Sequence, residues 1–122
     1  MNGTNLLVDT NVLIDLSEGR RQISKYVEGN HVHISVITEI ELLGWPGITG
    51  SQKVFFKNLI NDCTVVDLSQ NIKNMTIDIK QRYKVKLPDA VIAASAAFLD
   101  IPLLTRDAGF EKIKSLNLLL IE

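Results

Sequence analysis

Five short apolar runs, each set off from the next by helical patterns, limit what this chain can fold into more than any other feature. The runs are Asn5–Asp9, His31–Ser35, Cys63–Leu68, Pro102–Thr105 and Leu118–Ile121. Helical spacing fills the gaps, over Asn11–Ser17, Arg20–Glu28, Val36–Gly44, Ser51–Asp62, Gln70–Tyr83, Pro88–Leu99 and Ala108–Leu116. Within Gln70–Tyr83, the residues Ile72, Met75, Ile79 and Tyr83 follow one helix face. AVIAASAAFL (90–99) is small and apolar nearly all round, which predicts a helix packed on both sides. Strands alternating with helices, and apolar enough to be covered on both faces, predict an α/β fold around a parallel sheet. The only Gly/Pro-rich stretch, GWPGITGS (44–51), reads as a loop between helices, and no repeat or linker divides the 122 residues. One domain over 1–122 is expected, since the chain can bury one core and is too short for two.

Composition narrows the function little. The chain is 46% hydrophobic and 22% charged, as ordinary globular proteins are. Thirteen basic against fourteen acidic residues give a formal charge of −1, so no bulk basic character marks a nucleic-acid binder. A local basic patch can still sit inside such a total. The single cysteine, Cys63, lies in CTVVDL and reads as a small core residue. It leaves no disulfide within the chain, which fits a reducing compartment. MNGTNLLVDT lacks the basic start of a signal peptide, and no apolar run is long enough to span a bilayer. A cytoplasmic setting without a membrane is the expectation.

The chemistry gathers at strand ends. In LLVDTNVLIDL (6–16) an apolar run stops on Asp9, and helical spacing resumes at once with Val12, Leu13 and Leu16. Asp107 follows the fourth run in LLTRD, and Asp89 opens the apolar helix in KLPDAVIAA. Open α/β sheets bind ligands beyond the carboxyl ends of their strands, where helix N-termini also point. Each aspartate alone is explained by helix capping. Together they are not, because two carboxylates about 4 Å apart repel by roughly 4 kcal/mol at an effective dielectric near 20. A hard divalent cation offsets such repulsion, and metal ions held this way serve phosphoryl chemistry. ISVITEIELLG (34–44) offers a fourth acid in Glu39 or Glu41. On a wheel starting at Val36 the apolar face centres near Ile40, with the two glutamates about 100° to either side. Periodicity leaves both open. His31 and His33 share one strand face, where an HxH pair can ligate metal, but a partly exposed strand start explains them and they stay outside the site.

These spaced acids resemble those of PIN domains, and at this length the chain is most similar to the VapC-type toxins of toxin–antitoxin pairs. The matching segments are LLVDTNVLI, SVITEIEL, LPDAVIAASA and LLTRDAGFEKI, in an order and spacing that cover almost the whole chain. The resemblance implies a PIN-like (Rossmann-like) three-layer fold with a five-stranded parallel sheet in the order 3-2-1-4-5 and helices on both faces. The family pattern places Glu-Leu three residues after a Thr, which selects Glu41 in Thr38-Glu39-Ile40-Glu41-Leu42, although Thr-x-x-Glu is also the spacing of a capping box. Carried over, the catalytic acids are Asp9, Glu41, Asp89 and Asp107, with Asp9, Asp89 and Asp107 as metal ligands and Asn11 and Thr105 as polar neighbours. A Mg²⁺- or Mn²⁺-dependent ribonuclease is implied, with a cognate antitoxin protein and a homodimer.

RNA has a place to lie in this reading. KQRYKVK (80–86) puts Lys80, Arg82, Lys84 and Lys86 just upstream of Asp89, with Tyr83 among them. The stretch serves equally as a solvated helix C-terminus, where cations favour the dipole, or as a basic rim with an aromatic ring for a base. Lys84, Lys86 and Arg106 are the candidate RNA contacts. Trp45 reads as a packing or interface residue. Two rivals remain: a phospho-acceptor receiver module, which has similar length and a doubly wound sheet, and a PIN-like binding protein without catalysis.

Overall fold

The computed structural model describes residues 3–121; Met1, Asn2 and Glu122 lie outside the described residues. Strands β1 (Asn5–Val8), β2 (His31–Ser35), β3 (Thr64–Val66), β4 (Leu103–Thr105) and β5 (Leu118–Leu120) form one sheet. The helices are α1 (Thr10–Ser17), α2 (Arg21–Val27), α3 (Val36–Leu43), α4 (Gly50–Asn61), α5 (Gln70–Arg82) and α6 (Leu87–Leu99). Every strand pairing is parallel and the order is β3-β2-β1-β4-β5, as the resemblance implies. That order differs from the 2-1-3-4-5 arrangement of receiver-type sheets, so the receiver alternative falls.

The sheet is buried on both faces because adjacent strand residues point opposite ways. Leu6 and Val8 of β1, with Leu104 of β4, pack among Val12, Leu13, Ile23, Leu42 and Phe56 on one side. Leu7 and Leu103 face the other side, among Ile72, Ile79, Ala93 and Phe110. Helix α6 lies in that second layer with Ala90–Ala96 buried all round, as its composition predicts. Ile72 and Ile79 turn inward from α5, with Met75 and Tyr83 packed beside them.

Three expectations need correction. The segment 108–116 forms a single 3-10 helix, Ala108–Lys112, in place of an α-helix. The helix stops at its C-cap Ile113, and residues 113–117 run as turn and coil into β5. Ile40 is not the centre of a buried face: it is 60% exposed, while Thr38 and Leu42 are the buried residues of α3. Cys63 is half-buried, its thiol donating to the Leu59 carbonyl at 3.2 Å, and burial pushes the thiol up to about 11.

The sheet reverses its winding between β1 and β4. From β1 the chain moves outward to β2 and β3, then returns through α6 to place β4 on the other flank of β1. The crevice beyond the carboxyl ends of these two strands is the topological switch point, where doubly wound sheets bind their ligands.

Candidate active site

Asp9 follows β1 directly, with its backbone N–H donating to the Leu104 carbonyl of β4 at 2.9 Å. It caps α1: Oδ1 accepts from the Thr10 N–H at 2.8 Å. Its other oxygen, Oδ2, accepts from the Thr105 hydroxyl at the end of β4 at 2.6 Å. Burial, leaving it only 5% exposed, pushes the Asp9 carboxyl up to about 6, and the charges of Asp89 and Glu41 add to the rise. The bonds from Thr105 and Thr10 pull the other way without offsetting it. The cap and the charge cluster are therefore both present at one residue.

The other acids surround it from different elements. Glu41 projects from α3, where Thr10 Oγ1 donates to its Oε1 at 2.7 Å. Thr10 Oγ1 also lies 3.0 Å from the buried Thr38 Oγ1, so α1 and α3 are joined at the site. Glu39 sits elsewhere, in a cavity lined with Leu43, Lys57 and Asn58. Asp89 lies in the first turn of α6; burial, then the charges of Asp107 and Glu41, raise its carboxyl above the ordinary range, and Lys86 opposes this. Asp107 caps the 3-10 helix through Oδ1, which accepts from the Gly109 N–H at 2.8 Å. A Cβ at position 109 would stand 3.0 Å from that oxygen, so glycine leaves the carboxylate room.

Both expected polar neighbours are at the site. The Thr105 hydroxyl also accepts from the Asp107 N–H at 3.0 Å, and Asn11 Oδ1 accepts from the Arg106 N–H at 3.4 Å. Four carboxylates thus gather at the switch point, where the charges of Glu41 and Asp89 bear on Asp9 and those of Asp107 and Glu41 bear on Asp89. Among the described residues no three His, Cys, Asp or Glu side chains close into a ready-made metal cage. Mg²⁺ needs none, since it usually binds through one or two carboxylates and keeps several waters. An open ring of mutually repelling oxygen donors, opposed by Lys86, fits such an ion.

The sequence profile of the PIN domain family matches residues 6–116. The chain belongs to the PIN domain family. Among solved structures it is similar to a chain of a toxin–antitoxin complex from Klebsiella pneumoniae, with 33% identity and a TM-score of 0.77 over 91% of this chain and 94% of that one. It is also similar in fold to chains of VapBC2 from Rickettsia felis bound to a promoter DNA fragment (16% identity, TM-score 0.79, covering 98% of this chain and 100% of that one). VapBC-5 from Mycobacterium tuberculosis gives 20% identity and a TM-score of 0.73, over 97% of this chain and 99% of that one. No curated protein matches the sequence.

The basic residues of this PIN domain divide. Lys84 and Lys86 line a cleft of about 250 Å³ together with Asp89 and Asp107. Arg82 instead pairs with Asp78 at 3.2 Å, and the Lys80 ammonium donates to the Val85 carbonyl at 2.8 Å. Tyr83 is half-buried, packed against the core cluster that contains Ile79 and Ala90. His33 is half-buried, with Nε2 3.3 Å from Asn5 Oδ1, and His31 is exposed.

Arg106 is turned toward α1, where it forms an ion pair with Asp15, a carboxylate only 1% exposed. Arg20 approaches the same carboxylate at 3.6 Å. Sequence reasoning passed over Asp15, Thr10, Thr38 and Lys112, the last of which joins the cleft. Asp15 carried a readable signal, an acid two positions beyond Leu13 and one before Leu16 on an apolar helix. Thr10 and Thr38 carried none beyond their places in the motifs.

Proposed function

We propose that this PIN domain is a divalent-metal-dependent endoribonuclease, the toxin of a VapC-type toxin–antitoxin pair. The observation that carries the reading is the ring of Asp9, Glu41, Asp89 and Asp107 at the β1–β4 switch point, with Asp9 raised to about 6 by burial and like charge. Helix caps alone give no reason to gather them. The 33% identity to a chain of a toxin–antitoxin complex, over nearly the full length of both, supports the biological setting.

Asp9, Asp89 and Asp107 would hold Mg²⁺ or Mn²⁺. When bound, the ion supplies Lewis acidity, which makes water a stronger nucleophile and offsets charge on the phosphate oxygens. Thr105 and the Thr10 N–H orient the Asp9 carboxylate from two sides. Glu41, with Oε1 held by Thr10, takes a proton from the attacking water as its oxygen bonds to phosphorus. The P–O ester bond breaks on the opposite side, and the leaving oxygen takes a proton from solvent water to end as a hydroxyl, while Glu41 returns its proton to solvent. Lys84 and Lys86 meet the RNA backbone. Arg106, paired with Asp15, meets it only with the exposed part of its guanidinium.

An antitoxin protein and a second copy of the chain are the partners in this reading. Ile40 on α3 and Val54 on α4, each 60% exposed, offer apolar surface for protein contact. No helix among the described residues is long and apolar enough to cross a membrane, and the reading is of a cytoplasmic protein.

Incubating the purified protein with RNA in Mg²⁺, in Mn²⁺ and in excess chelator tests it. Cleavage is expected with either ion, and should be lost in chelator and in Asp9→Asn. Undiminished cleavage in chelator, absent from the Asp9→Asn preparation, would overturn the metal mechanism and keep the nuclease. Equal cleavage by both preparations would mark a contaminant.

A further inference from the structure

We propose that the cleft beside Asp89 and Asp107 is a phosphate subsite for a nucleotide flanking the scissile bond, with Lys112, Lys84 and Lys86 as its cationic wall. The inference rests on the ribonuclease reading and adds to it where the neighbouring phosphate is held.

The cleft lies between the α5–α6 connection and the 3-10 helix. Lys84 and Lys86 come from the connection, Lys112 from the 3-10 helix, and Asp89 and Asp107 complete the lining. Three lysines thus line about 250 Å³ together with two of the proposed metal ligands. That is roughly the space of eight waters, enough for a phosphate and part of its sugar. Among the described residues neither Lys84 nor Lys112 enters an ion pair with a carboxylate. Two cations at the mouth of an acidic site are left to face an anion from outside.

The wall is held in place before any ligand arrives. Lys112 Nζ donates to the Lys84 carbonyl at 3.1 Å, and Lys80 Nζ donates to the next carbonyl, that of Val85, at 2.8 Å. The connection is therefore pinned on successive residues by two ammonium groups. Each ammonium has three donors, so Lys112 retains two for a phosphate. An RNA strand crossing the carboxylates with one phosphate at the metal ligands would set the next against this wall. The arrangement suits a phosphodiester chain better than an isolated phosphate, because the negative and positive halves of the cleft each need their own partner.

A nucleoside 3′,5′-bisphosphate carries two phosphates and no internucleotide bond, so it probes the subsite without being cleaved. Calorimetric titration of the Mg²⁺-loaded protein with uridine 3′,5′-bisphosphate, uridine 3′-monophosphate and uridine 5′-monophosphate gives the comparison. Wild type should bind the bisphosphate about tenfold or more above either monophosphate. Lys112→Gln and Lys84→Gln should each reduce that advantage several-fold, and Lys114→Gln should not. Glutamine carries N–H donors one bond short of the ammonium position, so Lys112→Gln removes the charge while disturbing the tether to the Lys84 carbonyl less than truncation would. On single-stranded RNA, Lys112→Gln should flatten the dependence of log affinity on log salt by about 0.7, which a loosened loop would not do.

No advantage for the bisphosphate in wild type, or an advantage untouched by both lysine variants, would overturn the subsite. Competition by polyglutamate as strong as by RNA, weakened equally by the variants, would assign the lysines to an acidic protein partner instead. Wild type that cleaves RNA yet shows no bisphosphate preference loses the subsite and keeps the nuclease. Preference without cleavage keeps a two-phosphate site and loses the nuclease.

Discussion

At the scale of single residues, Asp9 is both a helix cap and a member of the acid cluster. One oxygen caps α1 and the other is held by Thr105, so the orientation that a cap provides also presents the carboxylate to the switch point. The position of Asp9, Asp89 and Asp107 was legible because all three stand where an apolar run meets a helix start. Glu41 was not legible from periodicity. The wheel assumes that the most apolar direction of α3 faces inward, and Ile40 lies in that direction but is exposed. The family pattern selects Glu41, and in the fold its Oε1 accepts from a hydroxyl 31 residues away, on Thr10, a contact that helical periodicity does not encode. Glu41→Gln is expected to lower RNA cleavage by about 100-fold, the scale of a lost general base, with Glu39→Gln within about twofold of wild type. Rates for the two variants, with circular dichroism to confirm folding, decide it. Equal losses would remove Glu41 from the site.

Between elements, the end of β4 is stitched to α1 three times: by Thr105 to Asp9, by the Arg106 N–H to Asn11, and by the Arg106 side chain to Asp15. These contacts fix where Asp107 stands relative to Asp9. A carboxylate as buried as Asp15 persists only when paired, and removing its charge leaves Arg106 without its anchor. Asp15→Asn should destabilise the protein by about 1–3 kcal/mol, less than a fully buried pair costs because both arginines are half-exposed. Urea unfolding measures it, and a change below about 0.5 kcal/mol would show the pair to be inert. The sequence placed all five strands within a few residues, since each is an apolar run between turn signals. It misjudged 108–116, where the chain forms only the short 3-10 helix Ala108–Lys112, capped by the Asp107 side chain. Long-range pairs such as Asp15 with Arg106, joining α1 to the loop after β4, have no local signature at all.

Over the whole molecule, strand alternation was enough to predict a two-sided parallel sheet, but not the order of its strands. That order came with the family likeness, and it matters because it puts the β1 and β4 ends side by side. A chain of formal charge −1 thereby concentrates four carboxylates at one end of its sheet. The folded protein binds protons at Asp9 more tightly than the unfolded chain, with a carboxyl near 6 against an ordinary value near 4. Stability of the metal-free protein should therefore fall as pH rises from about 4 to about 6, and the full cost should persist above that window. Thermal melts of wild type and Asp9→Asn across this range, each in chelator and in Mg²⁺, test the central claim that these acids form a metal site. At pH 4 in chelator the two proteins should melt together. At pH 7 Asp9→Asn should be the more stable by about 1–3 kcal/mol, several degrees in melting temperature. Mg²⁺ at a hundredfold excess over its dissociation constant should raise wild type by about 2.7 kcal/mol and leave Asp9→Asn nearly unmoved. An Asp9→Asn protein that melts no higher than wild type at pH 7 and keeps the full Mg²⁺ shift would make Asp9 a helix cap and nothing more.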